Sequence, residues 1–144
     1  MSGASETDGP AGTEHAGAEL AVQLRLGDVV LVSGDLGAGK TTFVRGALRA
    51  LGVSEEVTSP TFVVGILYDG AAGPVAHLDL YRLSGFEAED PGLLDPYFGP
   101  DTVTFIEWPE RVDSAADLAG RAIARHVTLE HAGGDRRRIE VRPT

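Results

Sequence analysis

Apolar residues recur in two different periods along this chain, and the switches between them mark out alternating strands and helices. Val29-Val30-Leu31-Val32-Ser33 is a β-branched run of the kind that forms a buried parallel strand. After a glycine-rich stretch, Phe43, Ala47 and Leu51 recur every four residues with Val44 and Leu48 beside them. That spacing predicts one apolar helical face, and Gly52 ends it. Upstream, Ala16, Leu20 and Leu24 predict a helix over residues 14–26 with Thr13 as its cap. Residues 61–68 and 75–81 are β-rich and flank Asp69-Gly70-Ala71-Ala72-Gly73-Pro74, the pattern of an antiparallel hairpin. Ser84 and Glu87 have capping-box spacing and open a short helix that Pro91 and Gly92 end. Val103-Thr104-Phe105-Ile106 is another buried strand, and residues 113–125 read as a helix. Finally, residues 126–131 and 138–142 flank Ala132-Gly133-Gly134-Asp135, a second hairpin. The sum is one three-layer α/β domain over residues 13–144 whose sheet mixes parallel and antiparallel strands. Residues 1–12, small, acidic and Gly-rich, are expected to be a disordered tail.

The stretch between the first strand and its helix carries the chemistry. Gly34-Asp35-Leu36-Gly37-Ala38-Gly39-Lys40-Thr41 is a full G-x-x-x-x-G-K-T phosphate loop, followed by Thr42. Glycines let backbone N–H groups turn towards phosphate oxygens, and the following helix presents its positive dipole end to the anion. Lys40, the only lysine in the chain, supplies a compact, mobile charge for the β- and γ-phosphates of a nucleotide. The Thr41 hydroxyl is a candidate Mg²⁺ ligand. Such a loop needs an acid at the end of a neighbouring strand. Glu107, before Trp108 and Pro109, closes one apolar run, and Asp79 lies in the other. Period-two alternation sets His77, Asp79 and Tyr81 on one face of their strand. Thr61, in Ser59-Pro60-Thr61-Phe62, presents a hydroxyl at a strand entrance, as nucleotide-sensing threonines do.

Composition narrows the classes. At 144 residues with 42% hydrophobic content, the chain is long enough to bury a core. A net charge of −10 argues against a direct nucleic-acid surface, which relies on clustered Lys and Arg. The Arg136-Arg137-Arg138 cluster reads as a solvated hairpin edge. No apolar stretch approaches the roughly 18 residues of a membrane span, and residues 1–14 lack the basic start and apolar core of a secretory signal. With no cysteine there is no disulfide, thiol nucleophile or Cys-type zinc site. The expected setting is the cytoplasm.

Together, GDLGAGKTTFVRG from Gly34, SPTF from Ser59, HLDLYRL from His77 and IEWPER from Ile106 resemble one family closely. It is the small bacterial TsaE (YjeE) ATPase of tRNA threonylcarbamoyladenosine biosynthesis. The resemblance implies a single-domain P-loop NTPase with a mixed central sheet flanked by helices. It implies ATP and Mg²⁺ as cofactors, and slow hydrolysis that resets the TsaB–TsaD pair. That pair transfers a threonylcarbamoyl group to adenosine 37 of ANN-decoding tRNAs, so tRNA is met only indirectly and a membrane not at all. Carried over by motif, Thr41 and Glu107 would bind Mg²⁺, with Lys40 and the loop amides on the phosphates. Thr61 and Asp79 would serve hydrolysis, Asp79 by orienting water. Trp108 would lie close to the nucleotide and Thr13 would contact the adenine. The family's late Gly-Arg pair corresponds to Gly134 with either Arg136 or Arg137.

Two other classes use a phosphate loop. A small-molecule kinase needs an acceptor pocket and an arginine-bearing lid, and no segment has a lid's pattern. A non-enzymatic assembly module would use ATP only to stabilise a docking shape, and Asp79 and Thr61 favour turnover over it. A GTPase is disfavoured because guanine is usually read by an Asn-Lys-x-Asp motif and the chain contains no asparagine. No arginine is obviously poised for cis catalysis; Arg82 and Arg111 are the internal candidates.

Overall fold

The computed structural model describes residues 3–57, 65–80, 95–108 and 123–143. Strands β1 (Gly3–Thr7), β2 (Val29–Gly34), β3 (Gly65–Asp69), β4 (Pro74–Asp79), β5 (Val103–Glu107), β6 (Ile123–His131) and β7 (Arg137–Pro143) form one sheet. Helices α1 (Pro10–Ala21) and α2 (Lys40–Ala50) complete the described elements, with a short 3-10 turn at Asp95–Tyr97. The strand order is β1-β7-β6-β2-β5-β4-β3. β2 lies at the centre, parallel to β6 on one side and to β5 on the other, and β4 continues the parallel set beyond β5. β3, β7 and β1 each join antiparallel to their neighbours. This is the mixed α/β sheet the alternation of patterns predicts.

Both faces of the parallel strands are apolar because both are covered. Val30, Val32, Phe105, Val127 and Leu129 meet Phe43, Val44, Ala47 and Leu48 of α2 and Leu20 of α1 in one buried cluster. The intervening residues Val29, Leu78, Leu80 and Ile106 join Phe98 in a second cluster on the opposite face. Glycines bring the helices very close. A methyl group at Gly17 would stand 2.0 Å from the carbonyl oxygen of Phe43, and one at Gly46 would stand 1.9 Å from that of Glu14. Only a bare backbone fits at either crossing point.

Several expected boundaries move. Residues 3–7, expected to belong to a disordered tail, form β1, which pairs along its whole length with β7. Helix α1 starts at Pro10 with Gly9 as its N-cap, so Thr13 lies inside the helix rather than capping it. Proline at the first helical position needs no N–H partner, which explains the earlier start. The helix ends at Ala21, short of Leu26. Residues 123–125, expected to end a helix, open β6 instead, where Ile123 and Arg125 pair with β2. The two hairpins occur as expected, over β3–β4 and β6–β7. The capping-box helix at Ser84 and most of the 113–125 helix lie outside the described residues.

Candidate functional site

The glycine-rich loop leaves the C-terminal end of β2 and enters α2, whose N-cap is Gly39 at φ 98°. Gly34, the last residue of β2, has φ 151°, and a side chain there would meet the carbonyl oxygen of Leu129 at 2.5 Å. A glycine is required on both counts. A glycine-rich backbone leading into the N-terminus of α2 is an arrangement that suits an anion. Leu36, Gly37, Gly39, Lys40, Thr41 and Thr42 line one side of a cleft of about 290 Å³. Asp79, Glu107 and Trp108 line the other. Asp35 is exposed on the loop and Ala38 is buried beneath it.

Lys40 is almost fully buried, and its ammonium donates to the carbonyls of Gly34 at 2.7 Å and Asp35 at 2.8 Å. It also lies 4.1 Å from the centroid of the Trp108 ring, a cation–π contact. Trp108 adopts φ 60°, a left-handed backbone that a bulky residue rarely takes. Its N–H still bonds to Val32 on β2, so the turn after β5 is tied to the loop strand.

The acids come from adjoining strands. β4 and β5 are parallel and in register, with Asp79 beside Glu107. Alternation puts Glu107 on the face of Phe105, towards α2, and there the Thr41 hydroxyl donates to Oε2 at 3.0 Å and Oε1 at 3.2 Å. Glu107 is only 2% exposed, and a buried carboxylate is costly without partners. Its other partner is His77, fully buried on β4, with Nε2 2.5 Å from Oε2. Along the sequence His77 shares a face with Asp79; the parallel register that points it at Glu107 is not visible along one strand. A hydroxyl and a carboxylate at the mouth of a phosphate loop are hard oxygen donors, the set that suits Mg²⁺. Thr41 and Glu107 therefore fit that ion.

On the far side of the loop, Thr13 is buried and hydrogen-bonded to Thr7 of β1 at 2.9 Å. It faces Gly39, whose position lies between Thr13 and the guanidinium of Arg137. Arg137 donates to the Gly37 carbonyl at 3.3 Å and to that of Gly134 at 2.7 Å. Arg136 turns away to Glu6 on β1 at 2.5 Å. Of the two arginines left open by the sequence, Arg137 is thus the one at the loop. A small crevice lined by Thr13, Gly39, Thr42, Asp135 and Arg137 continues the site in this direction. The structure brings together every expected site residue except Thr61, which lies outside the described residues, as do Tyr81, Arg82 and Arg111.

Comparison with known proteins agrees with this architecture. Residues 7–139 match the family model for threonylcarbamoyl adenosine biosynthesis protein TsaE. A tRNA threonylcarbamoyladenosine biosynthesis protein TsaE from Synechocystis is 45% identical over 103 residues, covering 69% of this chain and 66% of that protein. The Bacillus subtilis protein of that name is 39% identical, covering 78% of this chain and 68% of its own length. The Streptomyces coelicolor one is 40% identical, covering 81% and 88%. The chain thus spans about two thirds of the length of the first two relatives. Among solved structures, Bacillus subtilis YdiB superposes with a TM-score of 0.72 at 30% identity, covering 100% of this chain and 87% of that one.

Proposed function

The chain belongs to the TsaE family of threonylcarbamoyl adenosine biosynthesis proteins, and from that footing we propose that it binds and hydrolyses ATP with Mg²⁺ at the 34–41 loop. The work is done for the complex that forms N6-threonylcarbamoyladenosine at position 37 of ANN-decoding tRNAs. Partner subunits of the TsaB and TsaD type carry out the transfer, and nucleotide hydrolysis permits repeated turnover. The setting is the cytoplasm; among the described residues no helix is long and apolar enough to cross a membrane.

The observation that carries this reading is the bond from Thr41 Oγ1 to Glu107. It aligns two oxygen donors from α2 and β5 beside a loop built for phosphate. Bound Mg²⁺ would supply charge neutralisation on the β- and γ-phosphate oxygens. Lys40 would exchange its carbonyl partners, Gly34 and Asp35, for phosphate oxygens, and the loop amides would hold the remainder. Asp79, in register with Glu107, is the acid proposed to orient the attacking water. Thr61 is the proposed γ-phosphate sensor, Trp108 walls the cleft beside Lys40, and Thr13 contacts the adenine side. Basal hydrolysis is expected to be slow, since an arginine supplied by a partner is worth roughly 10³–10⁵ in rate.

Calorimetry with MgATP and a hydrolysis assay with and without the two partner subunits test the reading together. Heat of binding and partner-stimulated ADP release are expected. Loss of a charge-stabilising group typically costs about 10²–10³ in rate, so Lys40→Ala and Glu107→Ala should lose stimulated hydrolysis on that scale. An undiminished stimulated rate in Glu107→Ala would overturn the metal assignment. Phosphate transfer to a metabolite outpacing hydrolysis would make the protein a kinase.

A further inference from the structure

A carboxylate that is to bind a cation must present the right oxygen, and a buried one must be held from behind. We propose that His77 is the positioning residue of Glu107: its Nε2–H grips Oε2, leaving Oε1 as the oxygen turned to the ion. The inference rests on the assignment of Thr41 and Glu107 to Mg²⁺, and adds how Glu107 is oriented.

Three observations carry it. Oε2 sits 2.5 Å from His77 Nε2 and 3.0 Å from Thr41 Oγ1, whereas among the described residues Oε1 has only the longer 3.2 Å contact with Thr41. The two oxygens are therefore unequal, and His77 makes them so. Second, the imidazole is fully buried and its Nδ1 has no hydrogen-bond partner among the described residues. A ring protonated at Nδ1 would leave a buried donor unmatched and turn a lone pair on Nε2 towards the carboxylate. The proton belongs on Nε2. Third, the contact is built into the sheet. Asp79 stands beside Glu107 in the β4–β5 register and His77 stands beside Phe105, so the imidazole lies one diagonal step from the carboxylate on the same face. Residues that fix a ligand's orientation in this way typically alter metal affinity by about 10–100-fold when replaced.

The alternative is an imidazole that only fills space, and the metal dependence of nucleotide binding separates the two. ATP affinity would be measured by calorimetry across a Mg²⁺ titration and again in excess chelator, for the wild type, His77→Leu and His77→Gln. His77→Leu is expected to need about tenfold more Mg²⁺ for half-maximal binding, with chelator-measured affinity unchanged. His77→Gln, which keeps an N–H donor, should recover most of the wild-type requirement. An unchanged Mg²⁺ requirement in His77→Leu, or equal weakening with and without metal, would overturn the positioning role while leaving Thr41 and Glu107 as ligands. A wild-type protein whose ATP binding ignores Mg²⁺ would overturn the metal reading itself and this inference with it. Should His77→Leu fail to fold, nitrogen-15 NMR of the free wild-type protein decides the matter. The Nε2–H tautomer with bare Nδ1 is expected, and the Nδ1–H tautomer would sink the proposal.

Discussion

At the scale of single residues, the site keeps groups that a stability-driven design would avoid. Glu107 is nearly inaccessible, and its observed hydrogen-bond partners are one hydroxyl and one imidazole. Burying a carboxylate costs several kcal/mol before such bonds offset it. Trp108 holds a left-handed backbone that costs of order 1–3 kcal/mol, and the turn is retained with the indole over Lys40. Conservative relief of the first cost should therefore separate folding from function. Glu107→Gln keeps the side chain's shape and an acceptor for His77 while removing the charge. Its melting temperature is expected to equal or exceed that of the wild type, while Mg²⁺-dependent hydrolysis falls by about 10² or more. Thermal denaturation alongside an ADP-release assay checks both halves. A marked drop in melting temperature would mean that the carboxylate serves the fold first.

At the scale of elements, the α1–α2 crossing sets where Thr13 meets the loop. Both Gly17 and Gly46 face a carbonyl oxygen of the opposite helix. Gly46→Ala must push the helices apart, an overpacking that typically costs about 1–3 kcal/mol. It should lower the melting temperature by several degrees, at about 2–8 °C per kcal/mol. Gly9→Ser is the control: its side chain enters open space at the N-cap of α1 and should be neutral or stabilising. Equal behaviour of the two variants in thermal melts would mean that the close crossing is dispensable. Strands β2 and β5 were legible in the sequence because burial on both faces writes continuous apolar runs, and α2 because burial of one face writes a four-residue period. Strand β1 was not. Gly3-Ala4-Ser5-Glu6-Thr7 has no alternation because it buries almost nothing; backbone pairing with β7 makes it a strand. The start of β6 was hidden for a related reason, since Ile123, Ala124 and Arg125 are only half-buried and follow a stretch whose alanine-rich composition has a helical pattern. The loop and the place of both acids beside it were legible, because the loop's residue types stand at fixed spacing and each acid lies at the end of an apolar run. The role of His77 was hidden, because a contact between two strands depends on register that neither strand records alone.

At the scale of the whole molecule, the sheet order puts the loop between two different neighbourhoods. β5 and β4 bring Glu107, His77 and Asp79 to one side, where the proposed Mg²⁺ would be held. β6, β7, β1 and α1 bring Arg137 and Thr13 to the other. β1 acts on that second side without lining the cleft between the loop and Glu107. It carries Thr7, which bonds Thr13, and Glu6, which draws Arg136 away and leaves Arg137 at the loop. Removing residues 1–8 should therefore weaken ATP binding without altering its dependence on Mg²⁺. A lost hydrogen bond of about 1 kcal/mol corresponds to roughly fivefold in affinity. Calorimetry of the truncated protein, with and without metal, reads both quantities. A rise in dissociation constant at unchanged Mg²⁺ requirement would mean that the two sides contribute separately. An unchanged dissociation constant would reduce β1 to a cover for the edge of β7, and a shifted metal requirement would mean that the loop transmits strain from one side to the other.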